Sequence, residues 1–197
     1  MTVSKNLLHL EIVAGPNGSG KTTFAQSYLV RTLKRTNYLN PDIIASGVSP
    51  SYSPDSAFQA GRIFLTELKE KIRKQESIGF ETTLSGLSYL GLLRAAKKEG
   101  YKVTIYFLFT ENTQINIARI KKRVLLGGHH IETKDVIRRY HRSFHNFWYS
   151  YRDLADHWVV FDNSKLLPKL VISKERFELL DKKKALLFEK KFLKGRA

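Results

Sequence analysis

Eight residues near the N-terminus have the types and the spacing of a phosphate-binding loop. They match the pattern G-x-x-x-x-G-K-[ST] in full: Gly15, Pro16, Asn17, Gly18, Ser19, Gly20, Lys21 and Thr22. Glycines at these positions let backbone N–H groups turn inward toward phosphate oxygens. Lys21 is expected to reach the β- and γ-phosphates, and the Thr22 hydroxyl is placed to ligate Mg²⁺. The pattern, extended by Thr23, predicts a nucleoside triphosphate site and leaves kinase, ATPase and GTPase open.

Three acids are candidates for the carboxylates that phosphoryl transfer needs near the acceptor hydroxyl and near the metal. Asp42 follows a short strand candidate and is equally well explained as a first-turn residue of a helix that Pro41 opens. Glu81 and Asp162 each end an apolar strand, where a metal-organising acid is expected. Glu81 precedes two hydroxyl residues, a good setting for a polar substrate, whereas the segment after Asp162 is predicted beside the adenine. Either acid is also explained as a helix cap or a turn residue.

A run of basic residues between positions 119 and 142 predicts a lid over the phosphates. The run contains Arg119, Lys121, Lys122, Arg123, Arg138, Arg139 and Arg142. Gly127 and Gly128 interrupt it, and two glycines between basic helices favour a hinge that lets the lid close and exclude water. For any single arginine, a solvated basic face is an equally good explanation. His129 and His130 lack a third ligand at a useful spacing, which disfavours a metal site there.

Alternating apolar patterns predict the elements that position these residues. Strands are predicted over 8–14, 37–40, 77–81, 103–109 and 158–161, and helices over 22–34, 53–75, 87–99, 112–126 and 133–155. Strands that alternate with helices indicate a three-layer α/β fold with a central parallel sheet, which binds ligands at the carboxyl ends of its strands. The predicted organisation is a core over 1–165 with a helical lid at about 119–142. A basic strand and helix follow over 166–197.

Composition limits the class of protein and points to an anionic partner. The 197 residues include no cysteine, which excludes a disulfide scaffold and a zinc ribbon. No apolar run approaches the roughly 20 residues of a membrane span, and the N-terminus lacks a signal-peptide pattern, so a cytoplasmic protein is expected. The formal charge of +16 is compatible with a nucleotide, nucleic acid, an anionic lipid surface, an acidic protein or a generally basic surface. The segment from Lys165 to Ala197 carries +7 of it.

Four ordered motifs resemble the zeta-toxin family of P-loop kinases, in its compact branch of predicted ATPases. They are the phosphate loop extended to Phe24, Asn-Pro-Asp at 40–42, Gly-Phe-Glu-Thr-Thr-Leu-Ser at 79–85, and Arg-Val-x-x-Gly-Gly-His-x-Ile at 123–131. The resemblance covers about residues 8–165. It departs at Glu132, where a proline is common, and the chain is shorter than the better-known toxins.

The resemblance implies an ATP·Mg²⁺-dependent kinase and a role for each matching residue. Asp42 resembles the base at the acceptor hydroxyl, and Glu81 resembles the acid of the substrate pocket, with Thr82 beside it. Arg123 resembles a lid arginine on the γ-phosphate, and Arg139 is favoured over Arg138 as the second. Characterised zeta toxins phosphorylate UDP-N-acetylglucosamine within toxin–antitoxin systems, so an antitoxin is one expected partner.

The leading hypothesis from the sequence is a kinase that transfers the ATP γ-phosphate to a hydroxyl of a small molecule. The charge of +16 motivates a rival, a nucleic-acid-associated P-loop ATPase. A third possibility is a regulatory protein that binds ATP and turns over little of it. No sequence feature identifies the acceptor.

Overall fold

A computed structural model describes residues 7–30, 37–41, 44, 54–128 and 130–174. Within these ranges six strands form one sheet: β1 His9–Ala14, β2 Tyr38–Leu39, β3 Ile78–Thr82, β4 Lys102–Phe109, β5 His157–Asp162 and β6 Lys169–Ser173. Their spatial order is β2-β3-β1-β4-β5-β6. Every neighbouring pair is parallel except β5 and β6, which are antiparallel. The carboxyl ends of five strands therefore meet at one edge.

The helices connect these strands. They are α1 Lys21–Phe24, α2 Pro54–Arg73, α3 Leu90–Lys98, α4 Thr113–Leu125 and α5 Thr133–Asn146. α1 continues as a π-helix, Ala25–Val30, and α5 continues as a π-helix, Phe147–Tyr151. The Asn112 side chain caps α4 by accepting a hydrogen bond from the Ile115 N–H at 3.1 Å, which satisfies one of the free donors of the first turn.

Side-chain alternation along the strands divides the core into two faces. Leu10 and Ile12 of β1 belong to a large cluster that also buries apolar residues of α2, α3 and α5. Val13 of β1 belongs to a second cluster, with Phe24 and Leu29 from the segment after the phosphate loop. Successive residues of a strand point to opposite faces, so the two clusters lie on opposite sides of the sheet. The result is the three-layer arrangement that the sequence predicts.

The sheet topology places the phosphate loop at its centre. β1 lies between β3 and β4, with Ala14 opposite Thr82 on one side and Phe107 on the other. The chain thus leaves β1 where the strand order changes direction, which is where open α/β sheets bind ligands. The loop after β1 is consequently flanked by the ends of β3 and β4.

The predicted fold class is confirmed, and the differences from the sequence lie at element ends. α3 begins three residues later than predicted, and α5 changes to π geometry after Asn146. β6, in the segment assigned to the basic tail, pairs with β5 in the antiparallel direction. Residues 175–197, which include the predicted basic helix, lie outside the described residues. Within the described part, no helix is both long enough and apolar enough to cross a membrane.

Candidate nucleotide and acceptor site

The phosphate loop follows β1 with the backbone turns that its glycines permit. Gly18 and Gly20 have φ values of 77° and 88°, in the left-handed region that strains other residues. Gly20 is also confined by space, because a Cβ there would lie 2.3 Å from Asn163 Nδ2. The glycines of the motif are therefore required by geometry at these two positions.

Two buried amides fix the outward-facing carbonyls of this loop. Asn116 Nδ2 donates to the Asn17 carbonyl at 2.6 Å, and Asn163 Nδ2 donates to the Ser19 carbonyl at 2.7 Å. Asn116 belongs to the first turn of α4, and Asn163 follows β5. Since the carbonyls have partners outside the loop, its N–H groups remain available on the inner side. Sequence analysis missed Asn116, because no spacing rule relates it to a loop 99 residues away.

The inner side of the loop has the chemistry of a phosphate site. The Ser19 hydroxyl is fully buried and has no hydrogen-bond partner among the described residues. A buried hydroxyl without a partner is costly, and a bound phosphate oxygen would satisfy it. Lys21 Nζ donates to the Pro16 carbonyl at 3.1 Å, which keeps the ammonium over the loop. The residues present therefore fit a polyphosphate.

Glu81 joins the phosphate loop to the acceptor side of the cleft. Its Oε2 accepts from the Thr22 hydroxyl at 2.8 Å, and its Oε1 accepts from Asn40 Nδ2 at 3.0 Å. The carboxylate is buried at the end of β3. Tyr38 lies beside it, and burial together with the Glu81 charge raises the pKa of the Tyr38 phenol far above its usual value. Because Thr22 donates its proton to Glu81, its oxygen lone pairs are left for a metal ion.

Thr82 and Thr83 differ in what their hydroxyls can reach. Thr82 is buried, its hydroxyl accepts from the Leu84 N–H at 3.1 Å, and it lies against Tyr89. Strand alternation puts Thr82 and Glu81 on opposite faces. Thr83 is half-buried, and its hydroxyl lies 2.9 Å from that of Ser85. These two hydroxyls, which sequence analysis did not select, are the ones open to the acceptor side.

The loop that carries these hydroxyls is attached to α5. Three side chains of α5 and its π-helical extension donate to its backbone carbonyls: Ser143 to Thr83, Asn146 to Leu84, and Tyr151 to Gly86. Leu84 itself has a φ of 51°, an uncommon value for a residue with a Cβ. α5 therefore determines the shape of the acceptor-side loop.

The candidate lid arginines are distributed between the cleft and the solvent. Arg119 and Arg123 line the cleft from α4. Arg139 Nη1 reaches Asn17 Oδ1 of the phosphate loop at 3.5 Å. Arg138 instead pairs with Asp135 at 2.8 Å and lowers the pKa of that carboxyl. The structure thus brings Arg119, Arg123 and Arg139 to the site, and places Arg138 away from it.

The glycine pair between the basic helices ends α4. Gly127 has a φ of 82°, and the Gly128 N–H donates to the Arg123 carbonyl at 2.9 Å. These are the features of a helix C-terminus. Asp42 and His129 lie outside the described residues. Among the residues that the structure describes, no three His, Cys, Asp or Glu side chains are grouped as metal ligands.

The cleft over the phosphate loop has a volume of about 550 Å³. Such a volume is typical of a site for a small ligand. Its walls include Glu81, Arg119, Asn163 and the segment 165–168. Arg119 is fixed there by backbone carbonyls, with Nη2 3.3 Å from Ser164 O and Nη1 3.5 Å from Gly18 O. A guanidinium in this setting presents a flat face on which a purine can stack.

No family model matches the chain. A search of curated proteins finds an uncharacterized protein of Haemophilus influenzae, 32% identical over 126 residues, which are 64% of this chain and 88% of that protein. The chain belongs to the same family as this Haemophilus protein.

Solved structures identify the fold of this family member. One chain from the PezAT chromosomal toxin–antitoxin system of Streptococcus pneumoniae superimposes with a TM-score of 0.67 at 13% identity, covering 99% of this chain and 82% of that one. The AvrRxo1-ORF1:ORF2 complex with ATP gives a TM-score of 0.71 at 18% identity, covering 93% and 63%. A gluconokinase from Sinorhizobium meliloti gives 0.51 at 13% identity, covering 82% and 86%. The family member has a zeta-toxin-like P-loop kinase fold.

Proposed function

We propose that the protein is an ATP-dependent kinase that transfers the γ-phosphate to a hydroxyl of a small molecule. The observation that carries the proposal is the phosphate loop with its buried, unpartnered Ser19 hydroxyl, within reach of Arg139 from the opposite helix. A phosphate-lined cleft faced by a second cationic element is what phosphoryl transfer requires. The structural similarity to a gluconokinase and to a complex with ATP supports it.

Nucleotide binding is assigned to the loop and to the wall of the cleft beside Arg119. Residues 15–23 contact the phosphates, with Lys21 on the β- and γ-phosphates. The base lies against Arg119 and the segment 165–168, where Leu166 and Leu167 are strongly exposed at 95% and 76%. Aliphatic side chains this exposed beside a cleft have an apolar ligand surface to cover.

Mg²⁺ is assigned to Thr22, with Glu81 as the acid that orients it. When bound, the ion neutralises charge on the β- and γ-phosphates. Glu81 accepts the Thr22 proton at 2.8 Å, so we favour it over Asp162 as the metal-organising acid. Asp162 Oδ1 instead accepts from the Ser164 N–H at 2.9 Å and shapes the loop beside the base.

The transfer step assigns one role to each remaining group. The acceptor hydroxyl oxygen forms a bond to the γ-phosphorus, and the bond from that phosphorus to the β–γ bridging oxygen breaks, which releases ADP. Asp42 takes the hydroxyl proton, a role that rests on its motif. Arg123 and Arg139 stabilise the negative charge of the transferring group.

The acceptor site is assigned to Glu81, Thr83 and Ser85, with Thr82 as a supporting residue beneath them. UDP-N-acetylglucosamine is the first acceptor to test, and the motif resemblance alone supports it. The hydroxyls of Thr83 and Ser85 lie side by side at 2.9 Å, a spacing suited to a polyhydroxylated ligand.

An acidic protein, such as an antitoxin, is proposed as a macromolecular partner. The similarity to a chain of a toxin–antitoxin system supports it. So does the charge of the segment 165–197, where eleven Lys and Arg face four Asp and Glu. The rival function, a nucleic-acid-associated ATPase, is favoured by the same charge and by similarity to a chain of the Pnkp1/Rnl/Hen1 RNA repair complex, at a TM-score of 0.55.

The test is a transfer assay with ATP labelled at the γ-phosphate and a metabolite extract, with Lys21→Ala as the control. The kinase predicts label in an organic phosphate ester, absent with the variant. Label that appears only as orthophosphate, released faster with added RNA or DNA at low salt, would support the rival instead.

A further inference from the structure

Asn116 contacts the phosphate loop from outside the nucleotide cleft. It lies in the first turn of α4 with no exposed surface. Its Nδ2 donates to the Asn17 carbonyl at 2.6 Å, and its Oδ1 accepts from the Thr110 hydroxyl. Both ends of the amide are therefore used, which fixes its orientation. A buried amide with both ends paired holds its partners rigidly.

The phosphate loop packs directly on the backbone of the same residue. A Cβ at Gly18 would lie 2.6 Å from the Asn116 carbonyl oxygen and 2.9 Å from its Cα. The loop and the start of α4 thus touch without an intervening side chain. A shift of Asn116 would consequently be transmitted to residues 17 and 18.

The contact continues from Asn116 to α5. The Tyr140 hydroxyl donates to the Thr110 carbonyl, and the Thr110 hydroxyl donates to Asn116. Tyr140 is buried, and its neighbour Arg139 reaches Asn17 Oδ1 directly. α5 therefore touches Asn17 along two routes, one by a side-chain cation and one through Thr110 and Asn116.

We propose that Asn116 is a positioning residue for the phosphate cradle. Its amide holds the Asn17 carbonyl away from the bound polyphosphate, so that the N–H groups of residues 17–20 face it, and Tyr140 supports that amide from α5. The inference rests on the proposed function only in that ATP is taken as the ligand. The expected effect is on phosphate affinity, because a carbonyl turned inward would oppose a phosphate oxygen.

The decisive variant is Asn116→Asp, which keeps the shape and replaces the donor by an acceptor. A carboxylate oxygen would then face the Asn17 carbonyl, and the affinity for mant-ATP with Mg²⁺ is expected to fall about tenfold or more. The affinity for mant-AMP, which lacks the β- and γ-phosphates, is expected to stay within about twofold. General loosening of the protein would lower both affinities.

Asn146→Asp is the matched control. Asn146 is also a buried amide, and its Nδ2 donates to the Leu84 carbonyl at 2.8 Å. The same chemical change is made there, on the acceptor-side loop instead of the phosphate loop. Asn146→Asp is expected to leave the mant-ATP affinity within about twofold of the wild type.

A second pair of variants keeps the inference testable if Asn116→Asp does not fold. Tyr140→Phe removes the hydroxyl that supports Thr110, and a loss of about two- to fivefold in mant-ATP affinity is expected. Tyr101→Phe is its control, since Tyr101 is equally buried and donates to the Glu76 carbonyl at 2.8 Å near the other edge of the sheet.

The outcomes separate the inference from the proposed function. A folded Asn116→Asp protein that binds mant-ATP as the wild type does would overturn the inference. So would a Tyr101→Phe protein that loses as much affinity as Tyr140→Phe. A wild-type protein that binds no mant-ATP would overturn the proposed function itself.

Discussion

The two sides of the cleft are built in different ways. On the nucleotide side, buried amides from α4 and from the end of β5 fix the loop, and each donates to a carbonyl at 2.6 or 2.7 Å. On the acceptor side, half-buried hydroxyls at 83 and 85 lie on a loop that α5 holds by its backbone carbonyls. Glu81 connects the two sides through Thr22 and Asn40.

The difference separates what is common to a reaction from what is particular to a substrate. A triphosphate presents the same shape to every such enzyme, so a rigid cradle of backbone groups suits it. An acceptor is recognised by side chains on a loop, and these change without disturbing the cradle. The account therefore expects variants of the two sides to have separable effects.

Lys21→Ala is expected to have the largest effect. Loss of the cation on the β- and γ-phosphates should lower turnover by roughly 10³-fold and weaken ATP binding as well. Lys102→Ala, an exposed lysine at the opposite edge of the sheet, is the control. Equal activity of the two variants would show that the loop is not the phosphate site.

Arg139→Ala and Arg138→Ala divide the lid between two neighbouring residues. Arg139 reaches Asn17, so its loss should lower kcat by about 10–100-fold. Arg138 pairs with Asp135 away from the cleft, so its loss should change kcat by less than about twofold. Steady-state kinetics of both variants test this, and a larger loss for Arg138→Ala would reverse the assignment.

Thr83→Val tests the acceptor side. The isosteric change removes the hydroxyl beside Ser85, and the KM for the acceptor should rise about three- to tenfold while the KM for ATP stays constant. Thr104→Val, a half-buried threonine in β4, serves as the comparison. If the KM for ATP rises instead, Thr83 belongs to the nucleotide side.

The smallest effect concerns stability at high pH. Burial raises the pKa of Tyr151 to about 12 from a usual value of 10.0. An acid with a raised pKa in the folded state stabilises the fold below the unfolded pKa and ceases to do so as the pH rises through the folded pKa. The free energy of unfolding should therefore fall between about pH 10 and 12. Urea titrations of the wild type and Tyr151→Phe should show a shallower fall for the variant.

The sequence predicted the nucleotide side better than the acceptor side, for physical reasons. A phosphate loop is local, since one strand, one turn and one helix determine it, and its residues are contiguous. Asn116 escaped because its role depends on packing between distant segments. The contrast between Thr82 and Thr83 was available from strand alternation, but only with the end of β3 known. The π-helical segment after Asn146 follows from no local pattern.

The most direct test of the central claim is the Asp42→Ala variant, with ATP affinity and phosphoryl transfer measured on the same preparation. If the two sides are separable, ATP binds with the affinity of the wild type and labelled phosphate no longer reaches the acceptor. Transfer at the rate of the wild type would contradict the assignment of the base. Loss of ATP binding together with transfer would contradict the separation of the two sides.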